Sequence, residues 1–471
     1  MDVDYVIIGA GTAGCVLAKR LSEGGHSVLL LEAGGRDTYH WIHIPMGYLY
    51  CIGNPRTDWM FTTAKEPGLN GRSLIYPRGK VRGGCSSING MLYLRGQAAD
   101  YDGWRQMGNA GWGWDDVLPY FKKSEDYVDG ASDMHGAGGE WRVANQRPHR
   151  DVLDDWMDSA AAAGLPKVTD FNTGNNEGVG YFRVNQKRGW RMNTARAFLR
   201  STKGQALQVE THAHTRRVLI EDGRCVGVEY EQGGAVKTAR AAGEVILSAC
   251  AIGSPQILQL SGIGNAEHLG RFDIKTVVDS KGVGQNLQDH LQARLVFKCN
   301  EPTLNDEVRS LFNQARIALK SALFRAGPMT MAASLATGFF KTRPDVASPD
   351  IQFHVQPWSA NSPGEGVHPF SAFTASVGQL RPHSRGSIKI RSADPHEYPS
   401  IQANYLSEEE DLQVAVDAVK VARRIAEADA LKPVIIDEYV PGRQYQTDEQ
   451  LLDAARRFSQ TIYHPTSTCK M

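Results

Sequence analysis

The stretch Asp4-Tyr5-Val6-Ile7-Ile8-Gly9-Ala10-Gly11-Thr12-Ala13-Gly14 decides the fold of this chain. Its first five residues are largely apolar and are typical of a buried parallel strand. Apolar residues at helical spacing follow over 12–22, and a second apolar run over 28–31 ends at Glu32. We therefore predict a strand, a glycine turn, a helix and a second strand, the arrangement of a nucleotide-binding unit.

The glycine loop predicts a site for the phosphates of a dinucleotide. Gly9 permits a tight turn, Gly11 lets the backbone approach a pyrophosphate, and Gly14 allows close packing of the helix on the strand. The amino end of the helix offers free N–H groups and a partial positive charge. Glu32 suits a ribose diol and would repel a 2′-phosphate. The loop alone does not separate FAD from NAD, and the alternative is a tight turn without a ligand.

The bulk composition narrows the classes of function. The chain has 471 residues, with 52 Lys plus Arg and 52 Asp plus Glu, so its formal net charge is zero. This balance does not favour nucleic acid or an anionic membrane as a partner, and no apolar run approaches the ~20 residues of a membrane span. The seven cysteines and fourteen histidines lack the spacing of a disulfide framework or a metal site. Asp2 and Asp4 stand where a secretion signal carries positive charge, so we expect a cytoplasmic location.

Periodicity predicts further elements along the chain. The apolar spacing in residues 151–163 and 408–426 is typical of amphipathic helices. The alternating pattern over 207–230 is typical of paired strands, with the turn Asp222-Gly223 between them. The segment 41–127 is rich in Gly, Pro and aromatic residues, so we predict long irregular structure there, which is more often functional than idle. Shorter runs predict strands or a helix at 243–249, 254–260, 351–355 and 386–390.

Four further blocks carry a resemblance to a known family. Block 77–93 has glycines and small hydroxyl residues that let a backbone lie close to a flat or phosphorylated ligand. The other blocks are 254–264, 283–290 and 461–471. In order along essentially the whole chain, they resemble the glucose–methanol–choline (GMC) family of FAD-dependent oxidoreductases, nearest to choline-dehydrogenase-like and other acceptor-linked alcohol dehydrogenases. An NAD enzyme would leave the blocks at 83 and 254 without a role.

The resemblance implies the fold class α/β plus α+β. A Rossmann-like FAD-binding domain is expected at 1–155, 206–300 and 451–471. An interleaved substrate domain, built on an antiparallel sheet with helices, is expected at 156–205 and 301–450. Members of the family continue beyond the last block with a second catalytic His or Asn, so that group and the end of the FAD-binding domain are expected beyond Met471.

Non-covalently bound FAD is the cofactor that the resemblance implies. Glu32 would bind the adenosine ribose, and the segment around His214 would meet the adenine. Ile88 stands where some members carry a histidine bonded to the flavin, and Ile cannot form that bond. Arg82 and Cys250 stand where an aliphatic residue and a Gly or Ser are usual. The expected cofactor contacts are Gly9, Gly11, Thr12, Ala13, Gly14, Glu32, Ala33, Val81, Gly84, Asn89, Gly90, Met91, Leu92, His214 and Tyr463.

The Tyr-His-Pro block implies that His464 is the catalytic residue. Oxidation of a primary alcohol to an aldehyde needs a base for the hydroxyl proton while hydride leaves to flavin N5, and histidine titrates near neutrality. The electrons would then pass to a quinone-type or other acceptor. The alternatives are an oxidase that reduces oxygen, a lyase or decarboxylase of the same fold, and an inactive truncated homologue.

The sequence also predicts the surroundings of four other histidines. His290 is expected to be structural and hydrogen-bonded, and His354 either faces the substrate or is buried. His212 and His214 have strand spacing that would place them on one face, and no metal is expected there. The substrate cavity should be enclosed and mostly apolar, with an aromatic or acidic pocket if the alcohol is choline-like. Peripheral attachment to a membrane is expected only with a membrane quinone as acceptor.

Overall fold

The computed structural model describes residues 2–202, 206–361 and 365–471, so the predicted domain boundary at residue 205 lies outside the described residues. The strands of the two main sheets are β1 (Asp2–Ile8), β2 (Val28–Glu32), β3 (Gly178–Tyr181), β4 (Leu207–Thr211), β5 (His214–Glu221), β6 (Arg224–Gln232), β7 (Ala235–Leu247), β8 (Leu291–Cys299), β9 (Ala336–Phe340), β10 (Ile351–Gln356), β11 (Ala372–Gln379), β12 (Ile435–Val440) and β13 (Gln460–Thr461). The longer helices are α1 (Thr12–Glu23), α2 (Ala98–Gln106), α3 (Trp114–Ser124), α4 (Asp151–Ala162), α5 (Cys250–Leu260), α6 (Leu311–Phe324), α7 (Glu409–Ala426) and α8 (Asp448–Phe458).

The first main sheet has the strand order β4-β2-β1-β7-β6-β5. Strands β4, β2, β1 and the second half of β7 run parallel, whereas β7, β6 and β5 are antiparallel. Alternate residues of β1 enter two different cores, because Val6 packs with Leu29 on one face while Ile7 packs with Leu30 on the other. Burial on both faces explains why these strands are continuous apolar runs.

The second main sheet is antiparallel, with the order β12-β8-β11-β10-β9-β3 and β13 paired to β8. Helices α4 and α7 contribute Trp156 and Val419 to the apolar core on one of its faces. Residues Leu295, Phe353 and Val377 come from the strands themselves. A parallel α/β sheet beside an antiparallel sheet with helices confirms the expected fold class. The domain boundaries within it stay a prediction.

Three local expectations differ from the structure. The segment 41–127 is not wholly irregular, because α2 and α3 lie in it. Helix α2 buries no residue and lacks a clear apolar periodicity. Helix α3 has Trp114, Val117, Leu118 and Phe121 at helical spacing, but it contains Pro119, a residue that argues against a helix interior. Within 207–230, only β5 and β6 form the predicted hairpin, since β4 pairs in parallel with β2. Helix α5 begins at Cys250, before the predicted start at residue 254.

Candidate active site

Two adjoining cavities lie where the parallel strands of the first sheet end. The nucleotide cavity, of about 640 Å³, is lined by the ends of β1, β2 and β7 and by the start of α5. The reaction cavity, of about 560 Å³, lies between residues 88–92 and the second sheet. Arg78, Cys85 and Pro465 line both cavities, which therefore adjoin at these residues. An elongated ligand can occupy the two together.

The glycines of the first loop have two different surroundings. A Cβ at Gly14 would lie 1.9 Å from the Gly9 carbonyl oxygen, so this residue has no room for a side chain. A Cβ at Gly11 would meet no atom within 4 Å, and Gly11 lines the nucleotide cavity. Gly84 approaches Gly11 so closely that its Cβ would lie 2.7 Å from the Gly11 Cα. The bare backbone at Gly11 therefore faces a space that fits a pyrophosphate.

Glu32 is buried at the end of β2 and lines the nucleotide cavity. Its carboxylate accepts hydrogen bonds from the backbone N–H groups of Ala10 at 3.0 Å and Gly34 at 2.8 Å. Burial raises the pKa of Glu32, and these two hydrogen bonds oppose the rise. Glu32 thus holds the glycine loop in place, a contribution beyond the ribose contact that the sequence predicts.

The other predicted cofactor contacts divide between the two cavities. Gly14 and Val81 line neither cavity. Gly14 is a buried residue of α1, and Val81 is buried with its backbone paired to that of Gly35. Those that line the nucleotide cavity are Gly9, Gly11, Thr12, Ala13, Glu32, Ala33, Gly84 and His214. Those that line the reaction cavity are Asn89, Gly90, Met91, Leu92 and Tyr463, together with His464.

Arg191 supports the wall formed by residues 88–92. Its guanidinium donates hydrogen bonds to Asn89 Oδ1 at 2.8 Å and to the Ser86 carbonyl at 3.2 Å. Asn89 Oδ1 also accepts the backbone N–H of Met91, whose φ of 63° is left-handed. Arg191 is fully buried, which lowers its pKa to about 10. Sequence reasoning missed Arg191, because it lies about a hundred residues from the block that it supports.

Asp289 ties the His464 segment to the rest of the protein. Its carboxylate accepts the backbone N–H of His464 at 2.8 Å, and it also accepts the hydroxyls of Tyr76, Tyr405 and Thr461. The side chain is only 5% exposed. Burial, and next the charge of Asp289, raise the pKa of Tyr76 and Tyr405 well above the ordinary value, so both phenols stay donors. Asp289 therefore accepts hydrogen bonds from five groups, counting the backbone N–H of His290, and two of the five, His464 N–H and the Thr461 hydroxyl, belong to the His464 segment.

His464 lines the reaction cavity, and its side chain is exposed to the space around it. Burial lowers its pKa well below the ordinary value, and the charges of His290, His354 and Arg78 lower it further. The His290 ring lies 5.6 Å from the His464 ring, centroid to centroid. His464 is therefore a neutral imidazole at neutral pH and can accept a proton.

The remaining predicted histidines separate clearly in space. His354 on β10 lines the reaction cavity, with a buried Nε2 that has no partner among the described residues. His214 lines the nucleotide cavity, stacks on His396 and hydrogen-bonds the Pro395 carbonyl. The expectation that His212 and His214 share a strand face is wrong, because His212 precedes β5 in a left-handed bend with a φ of 54°.

Cys250 lines the nucleotide cavity beside Arg78, which lines both cavities. It has a φ of 66°, in the left-handed region that favours glycine. Arg78 donates to its sulfur at 3.9 Å and to the Tyr463 carbonyl. A hydrogen bond from the Cys85 thiol, followed by the charge of Arg78, lowers the pKa of Cys250. A glycine at this position would remove the strain and also this thiol pair.

Comparison with known proteins agrees with this geometry. The family description "GMC oxidoreductase" matches residues 3–292 and again residues 382–471. The chain belongs to the GMC oxidoreductase family. GMC oxidoreductases bind FAD, and the bare loop, the buried Glu32 and the adjoining cavities fit that cofactor. The chain is accordingly an FAD-dependent oxidoreductase of the alcohol and choline type.

Individual GMC proteins cover nearly the whole chain. An oxygen-dependent choline dehydrogenase of Cronobacter sakazakii is 41% identical over 481 residues, covering 100% of this chain and 86% of the relative. One from Photobacterium profundum is 39% identical, covering 99% and 83%. The crystal structure of pyridoxine 4-oxidase from Mesorbium loti superposes with a TM-score of 0.88 at 28% identity, covering 99% and 89%. Within the described residues, no helix combines the length and apolar character needed to cross a membrane.

Proposed function

We propose that this GMC oxidoreductase oxidises a primary alcohol to an aldehyde in the reaction cavity, with His464 as the base. The observation that carries the proposal is that His464 lines the reaction cavity while Asp289 holds its backbone. The lowered pKa of His464 leaves its imidazole neutral and able to accept a proton. A base must lie within reach of the hydroxyl that it deprotonates, and an anchored backbone limits where the imidazole can go.

The redox balance needs a two-electron acceptor. FAD bound along the two cavities supplies that acceptor. The alcohol loses two hydrogens and two electrons: the hydroxyl proton goes to His464, and the carbon-bound hydrogen leaves with its electron pair. The proton on His464 must later pass to solvent or to the electron acceptor, since the imidazole is regenerated for each turnover.

The binding of FAD is proposed to be non-covalent. Ile88 packs with Ile42, Cys51 and Val81 in a small apolar cluster, and its alkyl side chain has no nucleophile. The predicted contacts on the two cavity walls would hold the cofactor by backbone N–H groups and packing. We also propose that the two main sheets are the centres of the interleaved FAD-binding and substrate domains, with the boundaries given above.

The second half-reaction is proposed to pass electrons to a quinone-type acceptor in the cytoplasmic compartment. All seven cysteines are unpaired, which suits a reducing compartment. Oxygen is the alternative acceptor, and the word "oxygen-dependent" in the names of the curated relatives supports it. Reoxidation of the reduced protein by dissolved oxygen and by a soluble quinone, compared in a stopped-flow instrument, separates the two.

Anaerobic titration of the purified holoprotein with a panel of alcohols tests the proposal. An alcohol substrate bleaches the oxidised flavin spectrum without oxygen. His464→Ala should slow this bleaching by about 100-fold or more, whereas His383→Ala, at an exposed histidine outside both cavities, should not change it. Equal rates of bleaching in His464→Ala and in the parent protein, at equal flavin content, would contradict the assignment.

A further inference from the structure

The second sheet presents a polar face to the reaction cavity. Along β10, the side chains that line the cavity alternate with side chains that enter the apolar core, as a strand requires. The same alternation holds on β8 and β11. The cavity side of this face, which we call the polar wall, consists of Gln292, Arg294, Gln352, His354, Gln356 and Ser376.

The register of the sheet puts three members of the polar wall in one row. Arg294 on β8 lies opposite Ser376 on β11, and Ser376 lies opposite His354 on β10. Neighbouring strands are about 4.8 Å apart, so the row spans about 10 Å. One end of the row is His354, which lines the same cavity as His464, and the other end is Arg294.

Several buried polar atoms of this cavity have no hydrogen-bond partner among the described residues. They are Arg294 Nε, Trp358 Nε1, His354 Nε2 and Gln292 Oε1. A buried polar group without a partner costs free energy, so such a cluster is typical of a place where a ligand supplies the missing partners. Two of the four atoms can only donate, which favours a ligand that accepts hydrogen bonds.

The charge of the reaction cavity is positive. Among the described residues, its lining includes Arg78 and Arg294 and no Asp or Glu. Arg78 donates a hydrogen bond to the Tyr463 carbonyl. Within the described part of the chain, the hydrogen bond that Arg294 donates is from one nitrogen, to the Asn361 carbonyl at 3.3 Å. The exposed Glu365 acts on Arg294 from outside the cavity. A trimethylammonium group in the cavity would therefore lie beside two guanidinium groups, with no carboxylate among the described lining residues.

We infer that the alcohol substrate carries a carboxylate or another anionic group, which Arg294 binds while the hydroxyl lies at His464. The inference rests on the proposed function and names its substrate class as hydroxy acids. The guanidinium is planar and matches a carboxylate with two parallel hydrogen bonds. Because Arg294 and His354 lie about 10 Å apart at the two ends of the row, the substrate should have a flexible chain of several carbons between its hydroxyl group and its anionic group.

Three probes of similar size test the inference on the holoprotein: ω-hydroxyhexanoate, hexanol and choline. The apparent Kd for ω-hydroxyhexanoate in anaerobic flavin reduction should be the lowest. Arg294→Gln should raise it by about 10- to 100-fold with little change in the limiting rate. Arg294→Lys should retain part of the affinity for ω-hydroxyhexanoate, and the apparent Kd for hexanol should be the same in Arg294→Gln as in the parent. Arg271→Gln, at an exposed arginine outside both cavities, should match the parent.

A binding measurement separates failure of this inference from failure of the proposed function. Hexanoate cannot be oxidised as an alcohol, yet it should perturb the flavin absorption spectrum of the parent protein and not that of Arg294→Gln. If no alcohol reduces the flavin but hexanoate binds through Arg294, the proposed function fails and the anion site stands. Choline binding as tightly as ω-hydroxyhexanoate, or an equal loss of hexanol affinity in Arg294→Gln, overturns the inference.

Helix α6 carries a second, independent inference. Leu311, Phe312, Leu319 and Leu323 are each 59–81% exposed. At about 100° per residue they fall within about 120° of arc, a continuous apolar stripe on the outside of the helix. Only Ile317 of this helix is buried. Such a stripe is typical of a surface that something covers.

The charges beside the stripe identify the covering surface. Helix α6 contains Arg316 and Lys320 and no acidic residue, and both cations fall at one edge of the stripe. Two copies of the chain packed through this stripe would bring like charges together, whereas anionic lipid headgroups would neutralise them. The geometry points to α6 as a helix that lies in the interface of an anionic phospholipid bilayer.

The position of α6 relates this surface to the reaction cavity. The helix packs on residues 328–330, which pack on residues 45–50, and Tyr48 and Leu49 of that segment line the cavity. A bilayer under α6 would therefore lie on the side of the molecule that holds this cavity wall. A lipophilic acceptor could then reach the protein from the membrane.

Vesicle sedimentation tests the second inference. The holoprotein should sediment with vesicles of phosphatidylcholine and phosphatidylglycerol, less with phosphatidylcholine alone, and less in high salt. The double variant Leu319→Asp and Leu323→Asp should lower the partition coefficient about tenfold or more, whereas Val278→Asp, at another exposed apolar residue, should not. Absence of binding to anionic vesicles at low salt overturns the inference. So does a dimer in solution that the double variant dissociates, since a second copy would then cover α6.

Discussion

The carboxylate of Asp289 accepts a 2.8 Å hydrogen bond from the backbone N–H of His464. The two residues lie 175 positions apart in the sequence. Tyr463, immediately before His464, has a φ of 69°, which is strained for a residue with a side chain. The Asp289 anchor therefore holds a strained turn that aims the imidazole into the reaction cavity.

Asp289→Asn should slow flavin reduction although the residue does not line the cavity. Asparagine has one carbonyl oxygen where the carboxylate has two acceptors, so the His464 segment should lose its fixed position and the rate should fall by about 10- to 100-fold. The free energy of unfolding should fall by about 2–4 kcal/mol. Stopped-flow reduction and urea unfolding measure the two effects, with Asp222→Asn in the exposed β5–β6 turn as the control. An unchanged rate in a destabilised variant would show that the anchor is only structural.

The pH dependence of flavin reduction should reflect the lowered pKa of His464. Its pKa lies well below the ordinary 6.5, mainly because of burial. The imidazole therefore stays neutral as the pH falls through 6.5, and the rate should decline only at more acidic pH. Anaerobic reduction rates across the pH range measure this. An acidic limb centred at or above 6.5 would show that His464 is not the titrating base or is not buried in the holoprotein.

The stability of the protein should fall on mild acidification because of His354. Burial lowers the pKa of His354 from 6.5 to about 4. The unfolded chain therefore takes up a proton at His354 as the pH falls below 6.5, whereas the folded protein takes it up only near pH 4. Because of this difference, the free energy of unfolding should fall by up to about 3 kcal/mol between pH 6.5 and pH 4. Urea unfolding at successive pH values should show a smaller loss for His354→Gln than for the parent or for His383→Gln. Parallel pH profiles for His354→Gln and the parent would contradict this.

The two loop glycines should respond differently to alanine. Gly11→Ala should leave the stability of the apoprotein within about 0.5 kcal/mol, because no atom lies within 4 Å of the new methyl group. It should weaken FAD binding about tenfold or more, since the methyl group enters the phosphate space. Gly14→Ala should destabilise the apoprotein by about 1–3 kcal/mol through its contact with the Gly9 carbonyl.

Thermal unfolding of the apoproteins and quenching of FAD fluorescence separate these two effects. The matched pair controls for the chemistry of the substitution, which is the same at both positions. Similar FAD affinity in Gly11→Ala and the parent would mean that the pyrophosphate does not approach Gly11.

The spacing of apolar residues predicted the strands that are buried on both faces and the helix that is buried along one face. Strands β1 and β2 are buried on both faces and α7 on one, so each has an apolar pattern that a single sequence displays. Helix α2 buries no residue and so shows no such pattern. Helix α3 has a short apolar stripe of Trp114, Val117, Leu118 and Phe121, but its internal Pro119 favours irregular structure in a single sequence. The nucleotide loop was predictable for a related reason, since its chemistry is concentrated in six consecutive residues.

The reaction cavity could be predicted only in part. Its flavin-side wall comes from contiguous blocks, which the family resemblance identified. The polar wall comes from single residues on β8, β10 and β11, and Arg294 meets Ser376 and His354 only through the register of the sheet. Strand alternation was the available signal, but it does not say which strands are neighbours.

By itself, the sequence determined the nucleotide loop, the family and the catalytic histidine candidate, because each depends on residues that are adjacent in the chain. The tertiary structure alone decided what surrounds them: Asp289 beneath His464, the cation in the reaction cavity, and the apolar stripe on α6. A net charge of zero gave no sign of either local excess of positive charge. Charges and apolar groups act over a few ångströms in space, and folding brings those groups together from positions far apart in the sequence.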